Sequence, residues 1–147
     1  MINKLKVLFE LVAIYFFCGS TYVGIEILYR GYSFREMFFL AGFIGWIAFY
    51  INNTVITYEQ DFISQCTALT IIATFFEGLT GHIFNLDYHI WDYRHLNGSF
   101  WDAQCNIYFV LAWFAISFIM IPLLDYIDYK CFNGKKPHYI IFGRRVI

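Results

Sequence analysis

Apolar and polar positions segregate along this chain into four long apolar runs separated by short polar stretches. The runs are Val7–Leu28, Met37–Tyr58, Phe62–Leu86 and Ala103–Leu124. A helix needs about 20 mostly apolar residues to cross roughly 30 Å of hydrocarbon, and each run is long enough. The second and fourth carry no charged residue at all. Apart from the tail residue Pro137, the only proline is Pro122, near the end of the fourth run. Three runs therefore lack a strong helix breaker, and the fourth is expected to kink near its end. The pattern predicts an all-α integral membrane protein with four transmembrane helices. It forms a single domain over 1–147, with a short tail over 125–147.

Composition agrees. Of 147 residues, 60% are hydrophobic and only 14% charged, against about a quarter charged in an ordinary soluble domain. A net charge of -1 offers no basic surface for nucleic acid. The four cysteines, Cys18, Cys66, Cys105 and Cys131, form no Cys-x-x-Cys pair, so neither a zinc site nor a disulfide framework is expected. The opening Lys4, Lys6 and apolar run superficially resemble a secretory signal. No small-x-small site follows before Glu26, so a retained first helix is the expectation.

Lysine and arginine bias sets the orientation. With four spans both termini share one side. That side holds Lys4, Lys6, Lys130, Lys135, Lys136, Arg144 and Arg145, and the other holds Arg30, Arg35 and Arg94. Both termini are expected in the cytoplasm, and the protein in the cell membrane as a multi-pass chain with the lipid bilayer as its first partner.

Against this background Glu77 stands out. No charge precedes it in Phe62–Phe76, and it lies about 22 Å along the third helix at 1.5 Å per residue. A carboxylate at that depth must be paired, protonated or facing a wet cavity, which makes it a functional-site candidate. Glu26 and Arg30 end the first run at a spacing of i, i+4, suited to an ion pair on one helix face. Arg30 also reaches Glu77 if the first and third helices are neighbours. Trp91, Asp92 and Tyr93 follow the third run and suggest a re-entrant or interfacial lid, with Asp92 capping a helix or pairing with Arg30. Gly78 and Gly81 allow a neighbouring helix, or a substrate, to approach closely. Trp46 and Trp113 lie inside runs and read as packing residues. The polar stretch 85–102 holds His89, Asp92, Arg94, His95 and Asp102, but no His-Glu-x-x-His pairing. No metal and no cofactor are expected. No Walker loop occurs, so any ATP-driven step needs a separate ATPase subunit.

The runs EILYRGYS (Glu26–Ser33), EGLTGHIFN (Glu77–Asn85) and WDY (Trp91–Tyr93) resemble motifs of the bacterial type IV ABC-transporter permease family. The ending LDYIDYKCFNGKKPHY (Leu124–Tyr139) resembles the tails of its short members in Firmicutes. The likeness covers Glu26 to Tyr139 and implies a transport-type membrane subunit. Members often follow the Trp-Asp-Tyr with a serine and then Asn-x-x-Gly-Gln-x-Cys. Here the corresponding positions are Arg94, then Ser99, Asp102 and Ala103, with Cys105 retained. These departures imply altered specificity or lost activity.

Three readings stay open from the residues. In the first the chain is a transport subunit, working as a homo-oligomer or with partners, in which Glu77, Glu26, Arg30, Asp92, Trp91 and Tyr93 form the substrate- or ion-binding site. The second is a membrane-embedded enzyme acting on a lipid or lipid-linked substrate, with Glu77 or Asp92 as general base and Arg30 on a head-group phosphate. The third is a structural or regulatory subunit in which the cluster locks helix packing. The topology is testable directly: a fluorescent reporter fused at either terminus should shine, and an export-dependent phosphatase at either terminus should be silent. Phosphatase activity at one end contradicts the assignment.

Overall fold

The computed structural model describes residues 2–54 and 58–146. It is mostly helical, with four helices and two short antiparallel hairpins, and it divides into two compact units, Met1–Ile51 and Asn52–Ile147.

The first unit is a helical pair. Helix α1 spans Ile2–Arg30, and α2 spans Arg35–Thr54. Arg30 in the last turn of α1 suits the negative end of the helix dipole. Gly31 then takes φ +84° and its N–H returns 2.8 Å to the Ile27 carbonyl, the left-handed cap that favours glycine. The two helices touch through small residues. A side chain at Gly42 would collide with the Tyr15 ring, one at Gly19 with Phe38, and one at Gly45 with Cys18. Trp46 Nε1 donates to the Leu11 carbonyl at 2.5 Å, so its indole spans the pair. Glycine at these three positions is what lets α1 and α2 approach so closely.

The second unit pairs α3, Phe62–Phe84, with α4, Ile107–Cys131. Asp61 caps α3 by accepting from the Ile63 N–H at 2.9 Å. Asn106 caps α4 by accepting from the Tyr108 N–H at 2.9 Å. Between the helices, β1 (Ser99–Phe100) and β2 (Cys105–Asn106) form a hairpin, with Ser99 opposite Asn106 and Phe100 opposite Cys105. Its turn holds Trp101, Asp102 and Ala103 at φ 51°, 51° and 56°, three successive non-glycine residues in the left-handed region. Each such residue costs about 1 kcal/mol or more, so surrounding contacts must hold it.

Helix boundaries depart from the hydropathy runs for identifiable reasons. The fourth helix begins at Ile107, not Ala103, because residues 99–106 make the hairpin and Asn106 supplies the cap. It continues past Leu124 to Cys131 and passes through Pro122 as one helix. The third helix stops at Phe84, where the Asn85 N–H closes on the Gly81 carbonyl. The second helix ends at Thr54, with Tyr58 in a turn, while the expected span positions 55–57 lie outside the described residues.

The chain end is not a loose tail. Tyr139 donates 2.6 Å to the buried Asp125 carboxylate, and β3 (Ile140–Ile141) pairs with β4 (Arg144–Arg145). The Phe142 N–H reaches the second Asp61 oxygen at 2.5 Å. Asp61 thus caps α3 with one oxygen and anchors the terminal hairpin with the other. Burial and the Asp125 bond push the Tyr139 phenol well above its ordinary range, so it stays a donor.

Among the described residues three helices, α1 over Leu5–Arg30, α3 and α4, are long and apolar enough to cross a membrane. Their outer faces carry large apolar side chains such as Phe9, Phe16, Phe75, Leu111 and Ile119, as a helix bathed in lipid requires. The second helix has 20 residues and begins with Arg35 and Glu36.

Replacing Asp61 with alanine removes the α3 cap and the hairpin anchor together. A destabilisation of about 1–2 kcal/mol is expected, read as a lower Tm in detergent. Thermal unfolding at the wild-type temperature would show that the cap is dispensable.

Candidate functional site

Glu77 is placed by helix periodicity. Ala73, Glu77 and Gly81 recur at four-residue spacing, so they share the face of α3 that turns into the second unit. Glu77 is only 2% exposed. Tyr93 donates its hydroxyl to Oε1 at 3.0 Å, and Trp113 donates Nε1 to Oε2 at 2.9 Å. Both donors are themselves buried, and the Tyr93 ring stacks on Phe109 at 4.5 Å between centroids. The carboxyl therefore joins three pieces of chain: α3, the loop after it, and α4. A carboxylate presents about four acceptor positions, and these two donors engage one oxygen each.

The loop that carries Tyr93 is built around Asn85, which is 0% exposed. Its Oδ1 accepts from the Ile90 N–H at 2.8 Å, and its Nδ2 donates to the Trp91 carbonyl at 2.7 Å and to Gln104 Oε1 at 3.1 Å. Gln104 Nε2 donates back to the Asn85 carbonyl at 3.1 Å. Trp91 completes the frame by donating Nε1 to the Gln104 carbonyl at 3.0 Å. Ser99 donates to the Tyr93 carbonyl at 2.6 Å, and Asn106 donates 2.8 Å to the Ser99 hydroxyl. Every one of these buried polar groups has a partner, which is what makes a polar loop tolerable against an apolar helix pair. The thiol of Cys105 lies in the same layer, and burial, then the Glu77 charge, push it up to about 12.

Gly78 and Gly81 admit this loop rather than a neighbouring helix. A side chain at Gly78 would strike the Trp101 ring and Cys105, and one at Gly81 would strike the Gln104 amide. The expectation of helix–helix approach at these two positions is corrected accordingly.

The helix cap expected of Asp92 is likewise corrected: its carboxylate accepts from its neighbour Arg94, through Nε at 2.9 Å and Nη2 at 2.7 Å, and from the Arg94 N–H at 3.0 Å. The guanidinium holds the Asp92 carboxyl down to about 2, and it also lies 4.1 Å over the Tyr88 ring. Asp92 therefore folds the loop tip outward while its neighbours Trp91 and Tyr93 point in.

Glu26 and Arg30 belong to the first unit. They form the expected i, i+4 pair, with Arg30 Nη2 to Glu26 Oε2 at 3.0 Å. Ser33 donates to the same oxygen at 2.6 Å, Arg30 Nε donates to the Tyr32 carbonyl at 3.2 Å, and the guanidinium lies 4.7 Å over the Tyr32 ring. Arg30 is thereby ordered at the helix end.

Trp113 was legible only as packing, yet it holds Glu77. Depth matching carries the missing signal. Trp113 lies six residues inside α4 and Glu77 seven before the end of α3, about 9 Å and 10 Å from the shared loop. An indole N–H level with a lone carboxylate on an antiparallel neighbour is a donor in search of an acceptor. Asn85 and Gln104 lacked even that signal, because their bonds depend on the loop path. Among the described residues no three His, Cys, Asp or Glu side chains converge for a metal ion. Comparison with protein-family models, curated proteins and solved structures returned no match to the chain.

Removing either donor leaves a buried carboxyl oxygen short of a bond. Tyr93→Phe and Trp113→Phe should each destabilise the protein by about 1–3 kcal/mol, measured by unfolding in detergent. The double variant should fall short of the sum, because both act on one carboxyl. Strict additivity would mean that the two donors do not share Glu77.

Proposed function

We propose that the chain is a small multi-pass subunit of a transport permease in the cell membrane, with Glu77 as the group that meets the transported ion, proton or substrate. The observation that carries this reading is a carboxyl 2% exposed, inside a helix apolar enough to span a membrane, gripped by Tyr93 and Trp113. Ionisable residues at such positions recur where ions or protons are handled. The motif residues Glu77, Gly81, Trp91 and Tyr93 also fall into one connected set of contacts, which supports the resemblance to the type IV permeases. In this reading α2 is the fourth span, both termini are cytoplasmic, and Glu26 with Arg30 orders an outer entrance. Four short helices enclose little volume, so the working form is a homo-oligomer or a complex with partner subunits, including an ATPase if the step is ATP-driven.

A second reading is favoured by the same bonds: Glu77 as a structural rivet joining loop and helices. Glu77→Gln separates the two. The transport reading expects proteoliposome ion or proton flux, and complementation of a deletion strain, to fall at least about tenfold, the effect of 1.4 kcal/mol or more, while the variant inserts normally and its Tm stays within a few degrees. A matching collapse of Tm and assembly supports the rivet. Wild-type flux and complementation in Glu77→Gln remove Glu77 from the mechanism.

A further inference from the structure

A second ionisable pair sits beside the Glu77 frame and takes no part in it. His82, in the last turn of α3, has Nδ1 2.8 Å from the Gly78 carbonyl and Nε2 3.1 Å from Asp102 Oδ2. A carbonyl oxygen only accepts, so Nδ1 carries a proton. Asp102, with its side chain 81% exposed, supplies the carboxylate, which also only accepts. Both ring nitrogens face acceptors, and both bonds are made together only by the doubly protonated imidazolium. The Trp101 ring lies 5.2 Å from the imidazole, and an indole face favours a cation.

What the pair holds is the strained part of the fold. Asp102 is the middle of the three left-handed residues of the hairpin turn. Its backbone carbonyl accepts from the Tyr88 hydroxyl at 2.8 Å, and Trp101 lies on Gly78, where only a hydrogen leaves room. The groups that face His82 from the described parts of its unit are the Gly78 carbonyl on its own helix, Asp102 and Trp101 on the turn, and, through Asp102, Tyr88. The charges one layer out, Arg94 over Tyr88 and Asp92 with Arg94, pair with each other.

We propose that His82 and Asp102 form a proton-controlled latch that closes the Trp101–Gln104 turn over the Gly78–Gly81 face of α3. With the imidazole doubly protonated the latch is shut. As pH rises and Nε2 loses its proton, two acceptors face each other. The Asp102 tether is then lost, and a turn of three left-handed residues opens more often. The Nδ1 bond to Gly78 persists in the neutral ring, so the helix end is unaffected. The latch concerns the turn alone and does not depend on what Glu77 binds.

Hydrogen exchange of the full-length protein in lipid nanodiscs tests this. Peptides covering 99–107 are followed at about pH 5.5 and about pH 8, on either side of the ordinary imidazole value near 6.5, with the chemical pH dependence of exchange divided out. The pair is partly exposed, so protection in wild type should fall about two- to fivefold at the higher pH. Asp102→Asn and His82→Gln should show the low protection at both pH values, while peptides from the middle of α4 stay unchanged in all three proteins. Equal wild-type protection at the two pH values overturns the latch. So does a pH-dependent fall that survives in His82→Gln, since another group would then be responsible. If Asp102→Asn does not insert, the wild-type profile and His82→Gln decide the matter alone.

Discussion

A carboxyl group in an apolar seam sets the conditions that the rest of the second unit satisfies. Glu77 cannot rest against α4 without donors at its own depth, and the chain provides two from opposite directions. Trp113 is already on α4 at the matching level. Tyr93 has to be brought down from the loop, and that need explains the loop's construction. Asn85 and Gln104 exchange amide bonds, Trp91 locks onto Gln104, and Ser99 and Asn106 hold the Tyr93 backbone. The loop approaches closely because α3 is shaved to glycine at 78 and 81. An irregular polar segment survives beside apolar helices only when its own groups are paired in this way.

The same logic operates at the other end of the α3–α4 pair with a different chemistry. Asp61, Asp125 and Tyr139 bind the terminal hairpin to the start of α3 and the late turns of α4. Asp125 is buried there, and its partner is a phenol kept protonated by its surroundings. Both ends of the pair are therefore closed by carboxylates bonded to tyrosine hydroxyls. The first unit joins its helices differently: they meet at Gly19, Gly42 and Gly45 against aromatic rings and a thiol, and the Trp46 indole bonds across the pair to the Leu11 carbonyl.

Much of this was legible in the sequence because hydropathy and charge act locally. The helix count, the membrane-compatible length of α1, α3 and α4, the Glu26–Arg30 pair and the isolation of Glu77 all follow from residue spacing. The errors cluster where a side chain's partner lies far along the chain. The helix cap expected of Asp92 gives way to a bond with Arg94, two residues on. Hydropathy alone starts α4 four residues early, at Ala103 rather than Ile107, because Ala103–Asn106 is no more polar than a helix end. The left-handed turn there has no glycine to announce it. Trp113 passed as packing since an indole buries well with or without an acceptor. Asn85 and Gln104 could not be found from spacing at all, since each is defined by the other.

The second unit is held at its centre by the bond between the Trp113 indole and the Glu77 carboxyl. The indole N–H resonance of Trp113, assigned by Trp113→Phe in detergent or nanodiscs, reports on it directly. With the bond in place the resonance is shifted downfield, slow to exchange with solvent and moved strongly by Glu77→Gln. A Trp113 resonance that exchanges freely, or keeps its position in Glu77→Gln, would contradict it.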